Sequence, residues 1–134
     1  MALYNGKEVR YIRIRNITNS SNAATHIVEI QAMDMSGVNR LSGKALIPIT
    51  GSWTASMLGL GTDGSLTHTG NSGFVNANAP ADGYYDLEDI YTLSYIRIWM
   101  YWDDRRTYSY TLETSIDNKH WDVIYDYLGD QKYT

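Results

Sequence analysis

The chain has 134 residues, of which 43% are hydrophobic and 19% charged, and its formal net charge is -4. This length and composition are typical of one folded globular domain spanning residues 1–134 and argue against a disordered chain. The eleven basic residues are scattered, which argues against nucleic-acid binding, and no apolar segment approaches the roughly 18 residues of a membrane span, which argues against membrane insertion. Cysteine is absent, which excludes disulfides and thiolate metal sites.

The first third of the chain predicts two strands. In Glu8–Asn16, Ile12 and Ile14 alternate with arginines, and this period of two indicates a half-buried strand. A polar loop of turn-forming residues, 16–25, separates it from the second predicted strand, His26–Asp34.

The middle of the chain has a weaker pattern. Val38–Lys44 is rich in turn formers, and Ala45–Ile49 is short and apolar, but Pro48 limits that segment to an edge strand or a loop. Gly51–Ala81 is dominated by Gly, Ser, Thr and Asn, which predicts long loops with one or two short strands. Loops of this length in a compact domain are usually functional.

The segment Tyr84–Tyr127 contains most of the aromatic residues and predicts consecutive strands joined by short turns. The predicted strands are Tyr84–Leu87, Leu93–Trp102, Tyr108–Ser115 and Trp121–Tyr127, with a turn at Asp117–Lys119 before the last. The second of these strands is apolar on both faces, so we expect it to be central. No window has a helical period, and the pattern therefore predicts an all-β jelly roll or β-sandwich.

The same segment carries a recognisable motif. Its elements, in chain order, are Tyr85, Asp86-Leu87, Ile96 and Ile98, Tyr108, Ser115-Ile116-Asp117 and Trp121. This pattern resembles the second half of a discoidin domain, also called the coagulation-factor type C or galactose-binding-like domain, a family that includes the family 32 carbohydrate-binding modules. Glu88 and Asn118 stand where that family usually has glycine. Because Asn tolerates positive φ better than most residues, we expect the turn at Asn118 to survive and the turn at Glu88 to be built differently.

The first 44 residues resemble the same family in a different order. Val9–Ile14 and Val28–Ala32 look like its last two strands, and Val38–Lys44 looks like its opening, so the chain resembles a circular permutation of the family pattern. A jelly roll tolerates permutation because its termini lie close together at the surface. Permuted units with an aspartate-rich turn like Asp104–Tyr108 are similar to parts of bacteriophage virion proteins.

The resemblance implies one structural Ca²⁺, held by an Asp-Gly aspartate, a glutamate of the last strand, backbone carbonyls and a hydroxyl. The matching positions are Asp63 and Glu29, with Ser65 or Thr67 as hydroxyl ligands. Calcium takes six to eight oxygen ligands, which a loop rich in carbonyls can supply. The alternative interpretation is an ordinary turn aspartate and a solvent-facing strand glutamate.

The resemblance also implies a sugar site on loops at one end of the sandwich, where an aromatic ring stacks on the sugar and polar side chains bind its hydroxyls. The candidates are Trp53, His68, Phe74, Trp102 and Arg105. Trp102 ends a central strand and suits the core better. Trp53, in a polar loop, is the more suggestive candidate, although a loop aromatic often plugs the end of a sandwich. His26 and His68 are isolated and suit ordinary polar roles.

The charged turn Asp103–Arg106 has two interpretations. It could contact a sugar or a partner, or it could be a self-neutralising hairpin in which Arg106 bonds a neighbouring carbonyl or carboxylate, and we favour the second.

The sequence favours a non-catalytic protein. It has no Gly-x-Ser-x-Gly elbow, no His-Glu-x-x-His and no phosphate loop, and no acid pair stands in a glycosidase signature. We expect a structural or accessory protein of a bacteriophage particle (a decoration, fibre or baseplate component) that binds other virion proteins, copies of itself as a homo-oligomer, and host-surface glycans. The alternative is a lectin-like carbohydrate-binding module within a larger secreted protein. The start of the chain lacks the apolar run of a signal peptide, which favours assembly in the host cytoplasm and location in the virion.

Overall fold

A computed structural model describes residues 2–67, 73–78, 80–101 and 106–127, with the backbone alone for 2–5 and 124–127. Its strands are β1 (Ala2–Asn19), β2 (Thr25–Asp34), β3 (Ile47–Thr50), β4 (Val75–Ala77), β5 (Ala81–Met100), β6 (Tyr108–Ser115) and β7 (Asp122–Tyr127). All their pairings are antiparallel, in the order β4-β2-β5-β1-β6-β7, with β3 beside β5. The predicted all-β class is confirmed.

The sheet has two halves, one with β2 and β4 and the other with β3, β6 and β7, and the long strands β1 and β5 run through both. The second half of β5 pairs with β2, whereas its first half pairs with β3, and the second half of β1 pairs with β6. The predicted central position of the strand that begins at Leu93 is therefore confirmed. Because two strands cross from one half to the other, a bend in them sets the angle between the halves.

That bend lies at a bulge. Val9 pairs with Tyr91 but Tyr11 pairs with Asp86, so residues 87–90 of β5 oppose Arg10 alone. A bulge of this kind bends the strand and increases its twist. The Arg10 guanidinium bonds both oxygens of the Asp86 carboxylate, at 3.0 and 3.3 Å, and the N–H of Glu88 donates to the same carboxylate at 2.8 Å. The Asp86 carboxylate thus bonds both Arg10 of β1 and the backbone of the bulge in β5, and these bonds hold the bend.

The two halves of the sheet share one core. Ile12, Ile14 and Leu112 from one half and Ile30 and Ile96 from the other are buried in the same apolar cluster. The predicted alternation of β1 is confirmed, since its isoleucines point inward. The sheet therefore folds over itself in a sandwich-like arrangement.

Some predicted element bounds agree with the structure, but the strand predicted at Glu8–Asn16 is longer at both ends, since β1 runs from Ala2 to Asn19. Tyr108–Ser115 is found with the same bounds, the strand predicted at His26–Asp34 begins one residue earlier, and the segment with Pro48 is an edge strand paired only to β5. The division of β5 at Leu87 is wrong, because the predicted strands that begin at Tyr84 and Leu93 form one strand, which ends at Met100. The bulge keeps the chain in the sheet where a turn was expected.

The predicted loop region 51–81 contains the short strand β4 and two 3₁₀ turns, Ala55–Met57 and Leu60–Thr62. Trp53 forms an isolated antiparallel bridge with Ala77 and thereby ties the start of this region to its end. No helix among the described residues is long and apolar enough to span a bilayer.

Candidate functional site

The loop 59–67 is anchored to the turn that ends at Lys44. The backbone N–H of Gly43 donates to the carbonyl of Thr62 at 3.0 Å, and the buried Thr62 hydroxyl donates to the Lys44 carbonyl. The β-branched, buried threonine therefore fixes the loop at its root. The following residues, from Asp63 on, are exposed or half-buried.

This loop closes over Glu29 of β2. The N–H of Gly64 donates to Glu29 Oε1 at 3.3 Å across 35 positions of sequence, and Gln31 Nε2 donates to the other carboxylate oxygen at 3.4 Å. Glu29 is 0% exposed. Burial raises the pKa of Glu29 above its ordinary value, and the negative charge of Asp63 raises it further, against the two hydrogen bonds, which lower it. The fold thus brings the two predicted acidic ligands together.

The predicted hydroxyl ligands lie on the same loop. The N–H of Ser65 donates to Asp63 Oδ1 at 2.9 Å, and the Ser65 hydroxyl lies 3.1 Å from the carbonyl and 3.3 Å from the hydroxyl of Thr67. Gly64 has φ +84°, the left-handed conformation that glycine favours and a tight turn requires. The result is a compact group of oxygen atoms next to a buried carboxylate.

The chemistry of this group fits a hard cation. No basic side chain of the described residues pairs with Glu29, and its neighbour Asp63 carries the same charge, so a bound cation would offset both desolvation and repulsion. Within the described ranges, no three His, Asp or Glu side chains gather at one point. The other ligands would therefore be carbonyl and hydroxyl oxygens, a set that suits Ca²⁺ better than Zn²⁺.

Two of the predicted sugar-binding residues lie in the described part of the chain. Trp53 is half-buried against the core, and its indole N–H donates to the carbonyls of Thr50 at 2.9 Å and Asp82 at 3.1 Å. Phe74 is 3% exposed, so its ring does not offer a face to a sugar. The other three candidates, His68, Trp102 and Arg105, lie outside the described residues.

Around Phe74 the structure gathers a polar and aromatic cluster. His26 packs edge-on to Phe74 with ring centroids 4.7 Å apart, and its Nδ1 lies 3.2 Å from the Tyr108 hydroxyl and 3.4 Å from Arg106 Nη1. The Arg106 guanidinium lies over the Tyr101 ring at 4.7 Å. His26 is therefore not isolated, and sequence spacing could not reveal this because its partners come from β6 and two loops.

Sequence reasoning missed a cleft of about 530 Å³ between β1, the end of β6 and the following turn. Its charged lining residues are Lys7, Glu8, Asp117, His120 and Asp122. Hydrogen bonds from the backbone and the ring of His120 hold the pKa of Asp117 well below its ordinary value, and the same contact raises the pKa of His120. The Ser115-Ile116-Asp117 motif could have indicated this cleft, but it was interpreted only as part of a turn.

One half of the sheet is formed by β3, β6, β7 and the parts of β1 and β5 that pair with them. Its outer face carries a row of aligned side chains, the outer-face row. The register places Ile47, Tyr84, Arg13, Glu113 and Val123 side by side on β3, β5, β1, β6 and β7. At the centre, Arg13 bonds the buried Glu113 at 2.9 Å; at the ends, Ile47 and Val123 are 39% and 60% exposed. The Arg13 guanidinium also lies 4.0 Å from the centre of the Trp121 ring.

Comparisons with known proteins give one distant likeness. No family model and no solved structure matches the chain. BTB/POZ domain-containing protein 9 of Drosophila melanogaster is 29% identical over 147 residues, which take in 96% of this chain and 20% of that protein. The chain therefore spans about a fifth of the length of this relative. A likeness of this size does not assign a family.

Proposed function

We propose that the chain is a non-catalytic, circularly permuted discoidin-like jelly roll. Two backbone features support this architecture. Glu88 and Asn118, which stand where the family has glycine, have φ of +69° and +61°, the conformation that glycine favours. At Glu88 the chain forms a bulge within β5 and not the turn of the family, as expected of a position that is built differently, yet its backbone has the glycine-like conformation; Asn118 has that conformation in the turn after β6.

The function that the geometry supports best is glycan binding by loops that one Ca²⁺ ion braces. The observation that carries it is the approach of the 59–67 loop to Glu29, since a cation bound there would stabilise a buried carboxylate beside a second acid. Asp63 and the hydroxyls of Ser65 and Thr67 complete the proposed ligand set. The ion would hold the loop that follows Trp53. The His26–Arg106 cluster consists of residue types that bind sugar hydroxyls in carbohydrate sites.

A glycan array in calcium and again in EDTA tests the binding. We expect retention of one class of glycan in calcium and loss of the signal in EDTA. A blank array in calcium would contradict glycan binding and leave the structural role described below. Any glycan that binds is then tested against Trp53→Ala, with Val123→Ala as the control, because only the first variant removes a candidate sugar contact.

Calcium binding has its own test. Protein treated with chelator and then titrated with Ca²⁺ should gain thermal stability, because the ion binds the folded loop and not the unfolded chain. Mg²⁺ at the same concentration should give a smaller gain, since it demands a regular octahedron and dehydrates reluctantly. An unchanged melting temperature in both ions would contradict the site.

A second role is assembly with copies of itself or with other proteins of a bacteriophage particle, and the outer-face row is the candidate contact surface. The exposed apolar side chains Ile47 and Val123 at its ends are available for such a contact. We expect light scattering after size exclusion to show a homo-oligomer that Val123→Lys disrupts, while Ile90→Lys, at an exposed site in the bulge, leaves it intact. A monomer at high concentration would contradict self-assembly.

The location of the protein follows from the same two roles. In the phage role it lies in the virion, and in the lectin role it is part of a longer secreted protein. The likeness to a fifth of a longer fly protein suits a module that also occurs inside larger chains.

A further inference from the structure

The side chain of Tyr85 ends in a polar group buried in the core. Tyr85 is 0% exposed and belongs to the main apolar cluster. Among the described residues, no protein group lies within hydrogen-bond distance of its hydroxyl. A buried hydroxyl without a partner is costly, and native proteins usually satisfy such a group with an ordered water when no protein atom reaches it.

The hydroxyl lies beneath the loop proposed to hold calcium. A Cβ atom placed on Gly61 would come within 3.0 Å of the Tyr85 hydroxyl, so the ring ends directly against the 3₁₀ turn that leads into Asp63. Glycine at 61 is thus required for the close approach of the loop backbone to Tyr85. The floor of the loop is therefore shared between a tyrosine of β5 and a glutamate of β2.

The Glu29 carboxylate is the acidic group bonded by the same loop that covers Tyr85. Gly61 packs against the Tyr85 hydroxyl and Gly64, three residues further on, bonds Glu29, so both groups lie under the same short stretch of the loop. They form no direct hydrogen bond. The bonds that Glu29 does accept, from Gly64 and Gln31, are long, at 3.3 and 3.4 Å, and a carboxylate can accept more than two. An ordered water that bonds two buried polar groups can satisfy both, and it is the usual partner where no protein atom reaches.

We propose that one internal water joins the Tyr85 hydroxyl to the Glu29 carboxylate, which makes Tyr85 a positioning residue for the cation ligand Glu29. The hydroxyl donates to the water, and the water donates to a carboxylate oxygen. This contact fixes the rotamer of Glu29 so that its carboxylate faces the Asp63 loop. The role of Tyr85 in cation binding rests on the proposed calcium site, whereas the water bridge does not.

Tyr85→Phe and Tyr108→Phe form a matched pair, because each removes one tyrosine hydroxyl from a buried residue. Tyr108→Phe is the control, since its hydroxyl bonds His26 and not Glu29. Calcium titration by calorimetry of chelator-treated protein should give a dissociation constant roughly tenfold weaker for Tyr85→Phe, the usual size of such second-layer effects. We expect Tyr108→Phe to bind calcium as the wild type does. Equal affinity of Tyr85→Phe and wild type would overturn the positioning role.

A crystal structure of the wild type at about 1.5 Å or better tests the bridge without relying on calcium. The expected result is one water within hydrogen-bond distance of both Tyr85 Oη and Glu29. Direct contact of the two groups, or no density between them, would overturn the bridge. Wild type that binds no calcium contradicts the proposed site and the positioning role together, while intact calcium binding by Tyr85→Phe contradicts the positioning role alone.

Discussion

The sheet around β1, β5 and β6 and the connection 51–81 are held together by different kinds of contact. The sheet buries aliphatic side chains such as Ile12, Ile14 and Leu112 in one cluster, and ladder pairing runs through both halves. The connection has short elements and depends on a few polar anchors, including the Thr62 hydroxyl and the Glu29–Gly64 bond. Apolar burial is insensitive to ligands and pH, whereas polar anchors respond to both. We therefore expect global stability to depend on the sheet and ligand response on the connection.

The largest effect should come from Ile14→Ala in β1. This side chain is 1% exposed, and its removal leaves a cavity in the shared core, so we expect a loss of about 2–5 kcal/mol in the free energy of unfolding. Ile49→Ala in the edge strand β3 is the control: that side chain is 47% exposed, and its loss should cost under about 1 kcal/mol. Urea unfolding measures both. Similar losses for the two variants would contradict the division between core and edge.

Glu29→Gln separates the polar anchor of the connection from the apolar core. The folded-state pKa of Glu29 is raised above its unfolded value, so the contribution of Glu29 to stability is greatest below the unfolded pKa of about 4.3 and is lost as pH rises through the folded pKa. At neutral pH without metal, we expect Gln to raise the melting temperature, because it removes a buried charge. With Ca²⁺ the order should reverse, since only the carboxylate binds the ion tightly.

Melting curves at several pH values, with and without calcium, measure this effect. The difference between wild type and Glu29→Gln should vanish in acid, where the wild-type carboxyl is protonated. A wild type that is more stable than the variant at neutral pH in EDTA would contradict an uncompensated buried carboxylate.

The contrast between the two regions also explains what could be predicted from sequence. Strands such as Tyr108–Ser115 were predicted with the correct bounds because a period of two, as in Tyr110 and Leu112, is local information. The bulge at 87–90 was interpreted as a break, since its conformation depends on Arg10, which lies far away in the chain.

The candidate site was predicted only in part, for the same reason. The pairing of Glu29 with the Asp63 loop came from the family resemblance, because no local pattern joins residues so distant in sequence. The His26–Arg106 cluster and the cleft beside Asp117 were missed, as both are assembled from strands that meet only in the folded protein.

Asp117 gives a smaller effect, with the opposite dependence on pH, in the hairpin between β6 and β7. Its carboxylate accepts bonds from the N–H groups of His120 and Lys119, which hold its pKa below the ordinary value. A lowered folded-state pKa adds stability above the unfolded value of about 3.9, and this contribution is lost as pH falls through the folded pKa. We expect Asp117→Asn to melt below wild type at pH 7 and to approach it in acid. A difference that grows on acidification would contradict this role.

The smallest effect tests the bend that joins the halves of the sheet. Glu88 has φ +69°, where a side chain costs about 1–2 kcal/mol relative to glycine, and its 2.6 Å bond to Lys44 is exposed and contributes about 1 kcal/mol at most. Glu88→Ala and Glu88→Gly both remove the ion pair, but only alanine keeps the Cβ atom. We therefore expect the glycine variant to be more stable than the alanine variant by about 1 kcal/mol in urea unfolding, despite the greater freedom of its unfolded chain. Equal or greater stability of the alanine variant would show that this residue leaves the left-handed region, and that Arg10 and Asp86 alone hold the bend.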